Sequence, residues 1–274
     1  MPRITIIVPC FNAGRLVLET VASIDEPEPV ELVVVDDAST DPVTLAALDE
    51  LEAGGVRVLR QEVNGGVAVA RMAGLAVTSG PFVFPLDADD LALPGRLARA
   101  ADRLEATPEA GACVGDYEEF GNAAIVRAVP DRMDPYRIAF TNEYPVTSLF
   151  RRSMLERYGG WRDPSPQRRG YEDWNLWMDL AQDGGQIVHL GDVMYRRRLH
   201  APGLDLSARR HHAEIYRALR DGHPRLFADL PAHRRASTLS PLRKRIYPLL
   251  YGPRKPLRTL KPLLDRAGIW TARR

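Results

Sequence analysis

The sequence predicts an α/β fold with a mostly parallel sheet and helices on both faces of that sheet. Three observations lead to this prediction. Strand and helix patterns alternate four times between residues 4 and 90, the first strand is a near-continuous apolar run, and a polar cluster follows each strand. Such alternation is typical of parallel strands joined by right-handed helical crossovers. Near-continuous apolar runs are typical of strands covered on both faces.

Hydrophobic periodicity and turn residues place the elements in order. In the first half we predict strands over 4–9, 31–35, 56–59 and 82–86, and helices over 15–23, 44–51 and 67–77. In the second half, strands over 112–120 and 123–129 form a hairpin through a Gly121-Asn122 turn. Three further strands cover 148–150, 187–190 and 193–197, and helices cover 152–158, 172–182 and 207–219.

Composition limits the classes of protein that this chain can be. With 274 residues, 45% of them hydrophobic and 27% charged, it resembles a globular protein with a large core. No run approaches the roughly 20 apolar residues of a membrane span, and the first residues lack the regions of a signal peptide. Cys10 and Cys113 are too few for a disulfide framework or a cysteine metal site. We expect a cytoplasmic location, and no feature predicts a nucleic-acid partner.

Charge is distributed unevenly along the chain. Residues 234–274 hold 12 Lys and Arg against a single acid, whereas residues 1–233 hold 25 Lys and Arg against 35 Asp and Glu. Leu, Tyr and Trp side chains alternate with the basic residues of this C-terminal extension. Such a segment either binds peripherally to the cytoplasmic face of a membrane, or packs on the rest of the chain or on a second copy as a homodimer. Its prolines, Pro248 among them, would break it into short pieces and so exclude one long helix.

Polar clusters follow the first four predicted strands, at residues 9–12, 36–41, 64–66 and 87–90. Parallel strands end at one edge of a sheet, where such folds bind ligands, so the clusters predict a nucleotide or phosphate site. Asp87 and Asp89 point to the same side of an extended chain, and paired carboxylates suit a hard divalent cation. The alternative is an acidic loop that only caps the next helix. No G-x-G-x-x-G or G-x-x-x-x-G-K-[ST] is present, which argues against a dinucleotide dehydrogenase or a P-loop enzyme.

Six stretches taken together resemble the family 2 glycosyltransferases, which have the GT-A fold. They are residues 7–12 (IVPCFN), 33–41 (VVVDDASTD), 64–71 (NGGVAVAR), 86–90 (LDADD), 150–161 (ending in YGGW) and 170–177 (GYEDWNLW). The resemblance implies a GT-A type, Rossmann-like sheet and the transfer of a hexose with inversion. The donor would be a UDP-, dTDP- or GDP-sugar. The acceptor hydroxyl would lie on a sugar, a lipid-linked molecule or a natural product, in polysaccharide or glycoconjugate biosynthesis.

The resemblance also implies a domain organisation and a donor site. The catalytic domain would span 1–222, with a nucleotide-sugar half of about 1–110 and an acceptor half of about 111–222. The resemblance covers about residues 4–200 and not the tail, so the basic helical extension over 223–274 is predicted from composition alone. Asp37 would accept a hydrogen bond from the base, Arg71 would approach the base or diphosphate, and Asp87 would face the ribose. The other nucleotide-sugar contacts would be Pro9, Phe11, Asn12, Asn64 and Ala88.

The metal and acceptor residues follow from the same resemblance. Asp89, with Asp87 and His200, would hold Mn²⁺ or Mg²⁺, although a loop histidine is equally often only solvated. Asp173 would be the general base, and Glu172 would assist it or bind the acceptor together with Trp161 and Arg169. The alternative for the acidic pair is a helix N-terminus without chemistry. Trp174 and Trp177, at helical spacing, are expected in the core.

Two other functions share some of these features. A sugar-nucleotide pyrophosphorylase has a similar sheet and acidic site, but a glycine-rich basic loop would follow its first strand, where this chain has Pro9-Cys10-Phe11-Asn12. A sugar-nucleotide binding protein without transferase activity would have no use for a base such as Asp173. The transferase interpretation accounts for more of the motifs.

Overall fold

The computed structural model describes residues 1–121, 124–165, 170–199 and 211–253. These residues form two compact units. The first comprises Met1–Asp131, Pro145–Arg162 and Gln186–Ala201, and the second Arg132–Tyr144, Asp163–Gly185 and Pro202–Arg274, in each case for the described residues. The predicted boundary at residue 222 stays a prediction. Within the described part of the chain, no helix combines the length and hydropathy needed to cross a membrane.

The first unit contains the sheet. Its strands are β1 (Ile4–Cys10), β2 (Val30–Asp36), β3 (Arg57–Arg60), β4 (Phe82–Pro85), β5 (Leu91–Ala92), β6 (Ala110–Phe120), β7 (Ile125–Arg127), β8 (Leu149–Arg151) and β9 (Gln186–Arg198). The order across the sheet is β3-β2-β1-β4-β8-β6-β9-β5, and β7 pairs with β6. Strands β1 to β4 are parallel, as are β6 and β9, whereas the short pairings of β5, β7 and β8 are antiparallel. Most paired residues therefore lie in parallel ladders, as predicted.

Helices of the first unit pack on both faces of this sheet. They are α1 (Leu16–Ala22), α2 (Pro42–Ala53), α3 (Val67–Ala76), α4 (Arg96–Glu105) and α6 (Arg152–Tyr158). Alternate β1 residues such as Ile4 and Ile6 share one buried cluster with Leu48 of α2 and Leu97 of α4. Ile7 points to the opposite face because of the pleat. There α3 approaches so closely that a Cβ on Gly74 would lie 2.5 Å from Ile7 Cγ2.

The second unit is helical within the described residues. It contains α5 (Pro135–Ile138), α7 (Glu172–Gln182), α8 (His212–Gly222), α9 (Pro224–Ala228), α10 (Leu230–Ala236) and α11 (Pro241–Tyr251). Trp174 and Trp177 of α7 are buried, which confirms their expected core position. The first residues of the helix predicted over 207–219 lie outside the described residues.

Three local predictions differ from the structure. Helix α4 was expected only as a helix after the acidic loop, without bounds, and strand β5 was not predicted. The two strands predicted over 187–190 and 193–197 form the single strand β9, with register irregularities against β6. The expectation that Pro248 interrupts the C-terminal segment is wrong, because Pro248 lies inside α11. A proline there leaves the carbonyl four residues earlier without its helical donor. The hydroxyl of Tyr136 donates to that carbonyl, on Lys244, at 2.6 Å, and so replaces the missing bond.

Candidate functional site

The polar loops of the first unit meet at one edge of the sheet. Strands β3, β2, β1 and β4 are adjacent and parallel, so their carboxyl ends share this edge. The strand order reverses at β1, which has β2 on one side and β4 on the other. Ligands of open α/β sheets bind in the crevice at such a reversal. The clusters after β1, β2 and β4 therefore flank the expected crevice.

Asn12 connects the loop after β1 to the loop after β2. Its Oδ1 accepts hydrogen bonds from Thr40 N at 2.8 Å and Asp41 N at 2.9 Å, and its backbone N donates to Ser39 Oγ at 3.0 Å. Asn12 and Ala38 both have positive φ, at 51° and 60°. This conformation is uncommon for residues other than glycine, and it clusters at ligand sites when neighbouring contacts hold it in place. The hydrogen bonds of Asn12 provide such contacts.

The carboxylate of Asp37 organises the turn that precedes α3. Its Oδ1 accepts from Gly65 N at 2.7 Å and its Oδ2 accepts from Gly66 N at 2.8 Å. A carboxylate has about four acceptor positions, so these two bonds leave capacity for the base contact predicted above. The motif did not suggest that Asp37 also fixes the N-terminus of α3, which begins after Gly66 at φ 84°.

Arg71 and Asp87 form an ion pair beside the end of β4. Arg71 Nη2 donates to Asp87 Oδ1 at 2.7 Å, and the exposed fractions of the two side chains are 3% and 39%. A buried guanidinium needs an anionic partner, because an unpaired buried charge is costly. Arg71 therefore orients Asp87, whose more exposed carboxylate faces the solvent in part. Their predicted contacts with a nucleotide sugar stay predictions.

The acidic loop after β4 is held by the end of β9. Arg198 Nε donates to the carbonyl oxygen of Asp89 at 2.9 Å, and Arg198 N donates to Asp90 Oδ1 at 2.9 Å. Burial, together with the charges of Asp87 and Asp89, raises the pKa of Asp90 to about 8 although the bond from Arg198 N favours the ionised form. Asp90 is thus a buried structural carboxyl group, whereas the neighbouring Asp89 is partly exposed.

The remaining predicted donor residues lie near the same edge with different exposures. Phe11 and Asn64 follow β1 and β3 and are exposed, Phe11 at 50%. Pro9 is buried within β1, and Ala88 is buried between the two aspartates. Among Pro9, Phe11, Asn64 and Ala88, Phe11 has an exposed aromatic ring, which offers an apolar face to a planar base.

The donor atoms of Asp87 and Asp89 suit a hard cation. In the described ranges no group of three or more His, Cys, Asp or Glu side chains is arranged to hold a metal ion. Mg²⁺ in phosphate-binding enzymes is commonly held by one or two carboxylates together with substrate phosphate oxygens. Two aspartates on one loop therefore fit a cation that also binds a diphosphate.

The predicted base, Asp173, lies in the first turn of α7 in the second unit. Its Oδ2 accepts from Asn142 Nδ2 at 2.8 Å, and its Oδ1 accepts from Trp174 N at 2.7 Å. Both oxygens of Asp173 are therefore oriented by hydrogen bonds. Asn142 was not predicted, because it lies 31 residues from Asp173 and belongs to none of the motifs.

The turn before α7 has an unusual backbone. Tyr171, which precedes the helix, has φ 75°, a positive value that is rare for an aromatic residue. Its hydroxyl is 3.1 Å from His212 Nδ1, a contact that holds the turn to α8. Glu172 begins the helix and is buried. The turn presents Asp173, rather than Glu172, as the more exposed carboxylate.

Comparison with known proteins identifies the family. The model of the family described as Glycosyl transferase family 2 matches residues 5–159, which is more than half of the chain. This chain belongs to glycosyl transferase family 2. The succinoglycan biosynthesis protein ExoU of Rhizobium meliloti (strain 1021) is 40% identical over 98 residues, which cover 35% of this chain and 29% of ExoU. The match thus spans less than a third of the length of that relative.

Solved structures show the same fold as this family 2 chain. The match to S. aureus TarS 1-349 in complex with UDP-GlcNAc covers 98% of this chain and 78% of the TarS chain, with a TM-score of 0.65 and 21% identity. The match to the mannosyltransferase PcManGT from Pyrobaculum calidifontis, in complex with GDP-Man and Mn²⁺, covers 98% of this chain and 86% of PcManGT, with a TM-score of 0.58 and 23% identity. The GT-A-like fold implied by the motifs is confirmed by these likenesses.

One acceptor residue implied by the family motifs has a different position. Trp161 is 1% exposed and packs edge-to-face on Phe150 at 5.8 Å between ring centroids. The implied acceptor contact of Trp161 is therefore corrected, because its buried ring exposes no face to a sugar and Trp161 is part of the core. The adjacent Gly160 has φ 65°, and a Cβ there would lie 2.2 Å from Met72 Sδ. The Gly-Gly-Trp motif of this family member thus packs against α3.

Two of the predicted site residues lie outside the described residues. They are His200, proposed for the metal, and Arg169, proposed for the acceptor. Both stay predictions from the family motifs.

Proposed function

We propose that this chain is an inverting glycosyltransferase that moves a hexose from a nucleoside diphosphate sugar to an acceptor hydroxyl, with a divalent cation and with Asp173 as general base. The observation that carries the proposal is the meeting of three polar loops at the reversal of strand order, with Asp87 oriented by buried Arg71. These loops lie within the segment that matches the family. The complexes of TarS with UDP-GlcNAc and of PcManGT with GDP-Man and Mn²⁺ support the same class of donor.

The donor would bind with its nucleotide across the loops after β1 and β2. The exposed ring of Phe11 would cover the base, and Asp37 would accept a hydrogen bond from it. Asp87 would accept from the ribose hydroxyls. These assignments are the ones that the family motifs imply, and the position of each residue at the edge of the sheet supports them. Uridine, thymidine and guanosine diphosphate sugars are all candidates.

The two aspartates of the acidic loop would hold the cation. Asp89 is the first choice because it is partly exposed and its backbone is fixed by Arg198. When bound, Mn²⁺ or Mg²⁺ would neutralise the charge that develops on the departing diphosphate. The backbone of Asp89 does not need to move for this, since two bonds from Arg198 already hold the loop.

The transfer would proceed by one displacement at the anomeric carbon. The acceptor oxygen forms a bond to that carbon as the bond from carbon to the diphosphate oxygen breaks. The electron pair leaves with the diphosphate, and the proton of the acceptor hydroxyl passes to the carboxylate of Asp173. Asn142 and the backbone N–H of Trp174 orient this carboxylate. Attack opposite to the leaving group inverts the configuration of the sugar.

The test separates donor binding from chemistry with two variants. Calorimetry with UDP, dTDP and GDP in the presence of Mn²⁺ should show binding by the wild type and loss of Mn²⁺-dependent binding by Asp89→Ala. Asp173→Asn should bind the nucleotide normally, but its turnover of a nucleotide-sugar panel, followed by mass spectrometry, should fall by about 10² or more.

Asp183→Asn, at the other end of α7, is the matched control and should keep wild-type turnover. Nucleotide binding by Asp89→Ala at the wild-type affinity would remove the cation site from the proposal. Wild-type turnover by Asp173→Asn would require a different base.

A further inference from the structure

The second unit contains a groove that the proposed transfer does not use. It lies among α5, α10 and α11 and has a volume of about 600 Å³. Apolar surface comes from Tyr136, Phe140 and Pro248, and positive charge comes from Arg234, Arg235 and Lys244. The two aromatic side chains are buried, whereas both arginines are exposed. The groove therefore has an apolar interior and cations near the solvent.

The helix beside this groove continues the same combination of properties. Leu242 and Leu249 are 54% and 42% exposed, although both are large apolar side chains. They are seven residues apart on α11 and so share one face of the helix. Arg245 lies between them along that face. Lys244 Nζ donates to the carbonyl oxygen of Arg235 at 3.0 Å, which holds the basic residues of α10 and α11 together.

The charge of this surface has a single sign. Residues 230–253 contain five Lys and Arg and no Asp or Glu. A partner must therefore bring negative charge together with apolar groups. The following residues of the chain, 254–274, do not have this character, because they hold seven Lys and Arg against one Asp. Electrostatic repulsion disfavours that segment as the occupant of the groove.

We propose that this surface, formed by the groove and the exposed face of α11, binds peripherally to an anionic phospholipid bilayer. Lipid phosphates would pair with Arg234, Arg235 and Lys244, while Leu242 and Leu249 enter the boundary between headgroups and acyl chains. A surface with apolar residues on one side and cations beside them is the usual form of an interfacial helix. Clustered cations next to it add attraction to anionic lipids. The inference goes beyond the transfer reaction and does not depend on it.

The test is co-sedimentation of the full chain with phosphatidylcholine vesicles, with and without a minority of phosphatidylglycerol, at low and high salt. The wild type should bind only the anionic vesicles and should dissociate at high salt. Arg234→Glu/Arg235→Glu should bind at least about 30-fold more weakly, since each cation near an anionic surface changes binding by roughly fivefold. Leu242→Ser/Leu249→Ser should also reduce binding, because it removes the inserted side chains.

Arg217→Glu/Arg220→Glu is the matched control. It changes the net charge equally but alters α8, and it should bind like the wild type. Thermal melting would show that each variant is folded.

Three outcomes would overturn the proposal: no binding by the wild type, equal loss in the α8 control, or equal binding of neutral and anionic vesicles. A fourth would replace it with self-association, namely a wild-type dimer in analytical ultracentrifugation that Arg234→Glu/Arg235→Glu converts to a monomer without any vesicle binding.

Discussion

Single side chains show what sequence motifs can and cannot reveal about this site. The carboxylates that the motifs predict, Asp37, Asp87 and Asp173, each have a specific partner in the structure. Of the partners of these carboxylates, Arg71 was predicted as a site residue, whereas Gly65 and Gly66 lie in the same motif but were given no role. Asn142 could not be found in this way, because the chain between it and Asp173 has to fold before the two can meet. Trp161 illustrates the opposite error, since the motif implied an acceptor contact but close packing on Phe150 buries its ring.

Asn142 should position the proposed base, and its replacement tests this role. We expect Asn142→Ala to lower kcat on the order of 10-fold while the Kd of the nucleotide changes little, because a hydrogen bond to a charged group is worth about 1.5–3 kcal/mol. Asn142→Asp keeps the oxygen that accepts from Tyr144 N, but it places a second carboxylate against Asp173. It should therefore also be slow.

Steady-state kinetics and calorimetry on both variants measure these two quantities separately. A wild-type kcat for Asn142→Asp would mean that only the contact with Tyr144 matters and that Asn142 has no role towards the base.

At the scale of helices and strands, the regular elements of the first half follow from the sequence, because local patterns and burial agree there. The elements that were missed depend on distant contacts. Strand β5 has two residues and exists because β9 pairs with it. Helix α11 tolerates Pro248 because the hydroxyl of Tyr136 replaces the lost backbone donor. Neither cause lies within the segment itself, so propensity alone cannot reveal them.

The contact between Tyr136 and Lys244 predicts coupling between Tyr136 and Pro248. Tyr136→Phe should lower the free energy of unfolding by about 1–2 kcal/mol, because it removes a donor from a helix carbonyl. In a Pro248→Ala background the restored N–H can donate to the same carbonyl, so the cost of Tyr136→Phe should fall by about 0.5–1 kcal/mol.

Tyr216→Phe is the matched control, since that buried hydroxyl donates to Ala139 O at 2.9 Å and does not involve Pro248. Urea unfolding of the double-mutant cycle gives the coupling. Equal costs of Tyr136→Phe in both backgrounds would contradict this account of the helix.

Glu31 joins three elements of the first unit and predicts a pH dependence of stability. Its Oε2 accepts from Ser79 N at 2.8 Å, Thr5 Oγ1 at 2.9 Å and Gly80 N at 3.1 Å. Burial alone would raise the pKa of Glu31, but these bonds together lower it below the ordinary glutamate value. A lowered pKa in the folded state stabilises the protein above the unfolded-state pKa of about 4.3, and this stabilisation is lost as the pH falls through the folded pKa.

Glu31→Gln should therefore be less stable than the wild type at about pH 6, and the difference should shrink towards about pH 3. Urea midpoints at several pH values measure it. Glu109→Gln, at an exposed position, should follow the wild type throughout. A difference that stays constant with pH would show that Glu31 acts through packing alone.

For the whole molecule, the structure changes the meaning of the basic C-terminal region. The sequence predicts a basic extension over 223–274 after the catalytic domain, and that boundary stays a prediction. Within the described residues, however, α10 and α11 belong to the same compact unit as α5 and α7. Ser237 Oγ donates to Asp134 Oδ2 at 2.7 Å. The buried ring of Tyr247 packs near Phe140 at 6.3 Å between centroids. Composition reveals the charge of such a segment but not which of its apolar residues are buried.

Because these contacts are buried, a chain that ends at Ala232 should be much less stable than the full chain. The truncation removes Ser237, the Lys244 carbonyl and Tyr247, and so takes one hydrogen-bond partner each from Asp134, Tyr136 and Glu143. The loss of several such bonds, each worth about 1–3 kcal/mol, should lower Tm by more than about 5 °C. Leu242→Ser/Leu249→Ser in the full chain is the control, because it changes only exposed side chains of α11 and should shift Tm by no more than about 2 °C. Differential scanning calorimetry compares the three proteins. If truncation at Ala232 leaves Tm unchanged, then α11 contributes nothing to the second unit, and the region would have to be regarded as a separate extension after all.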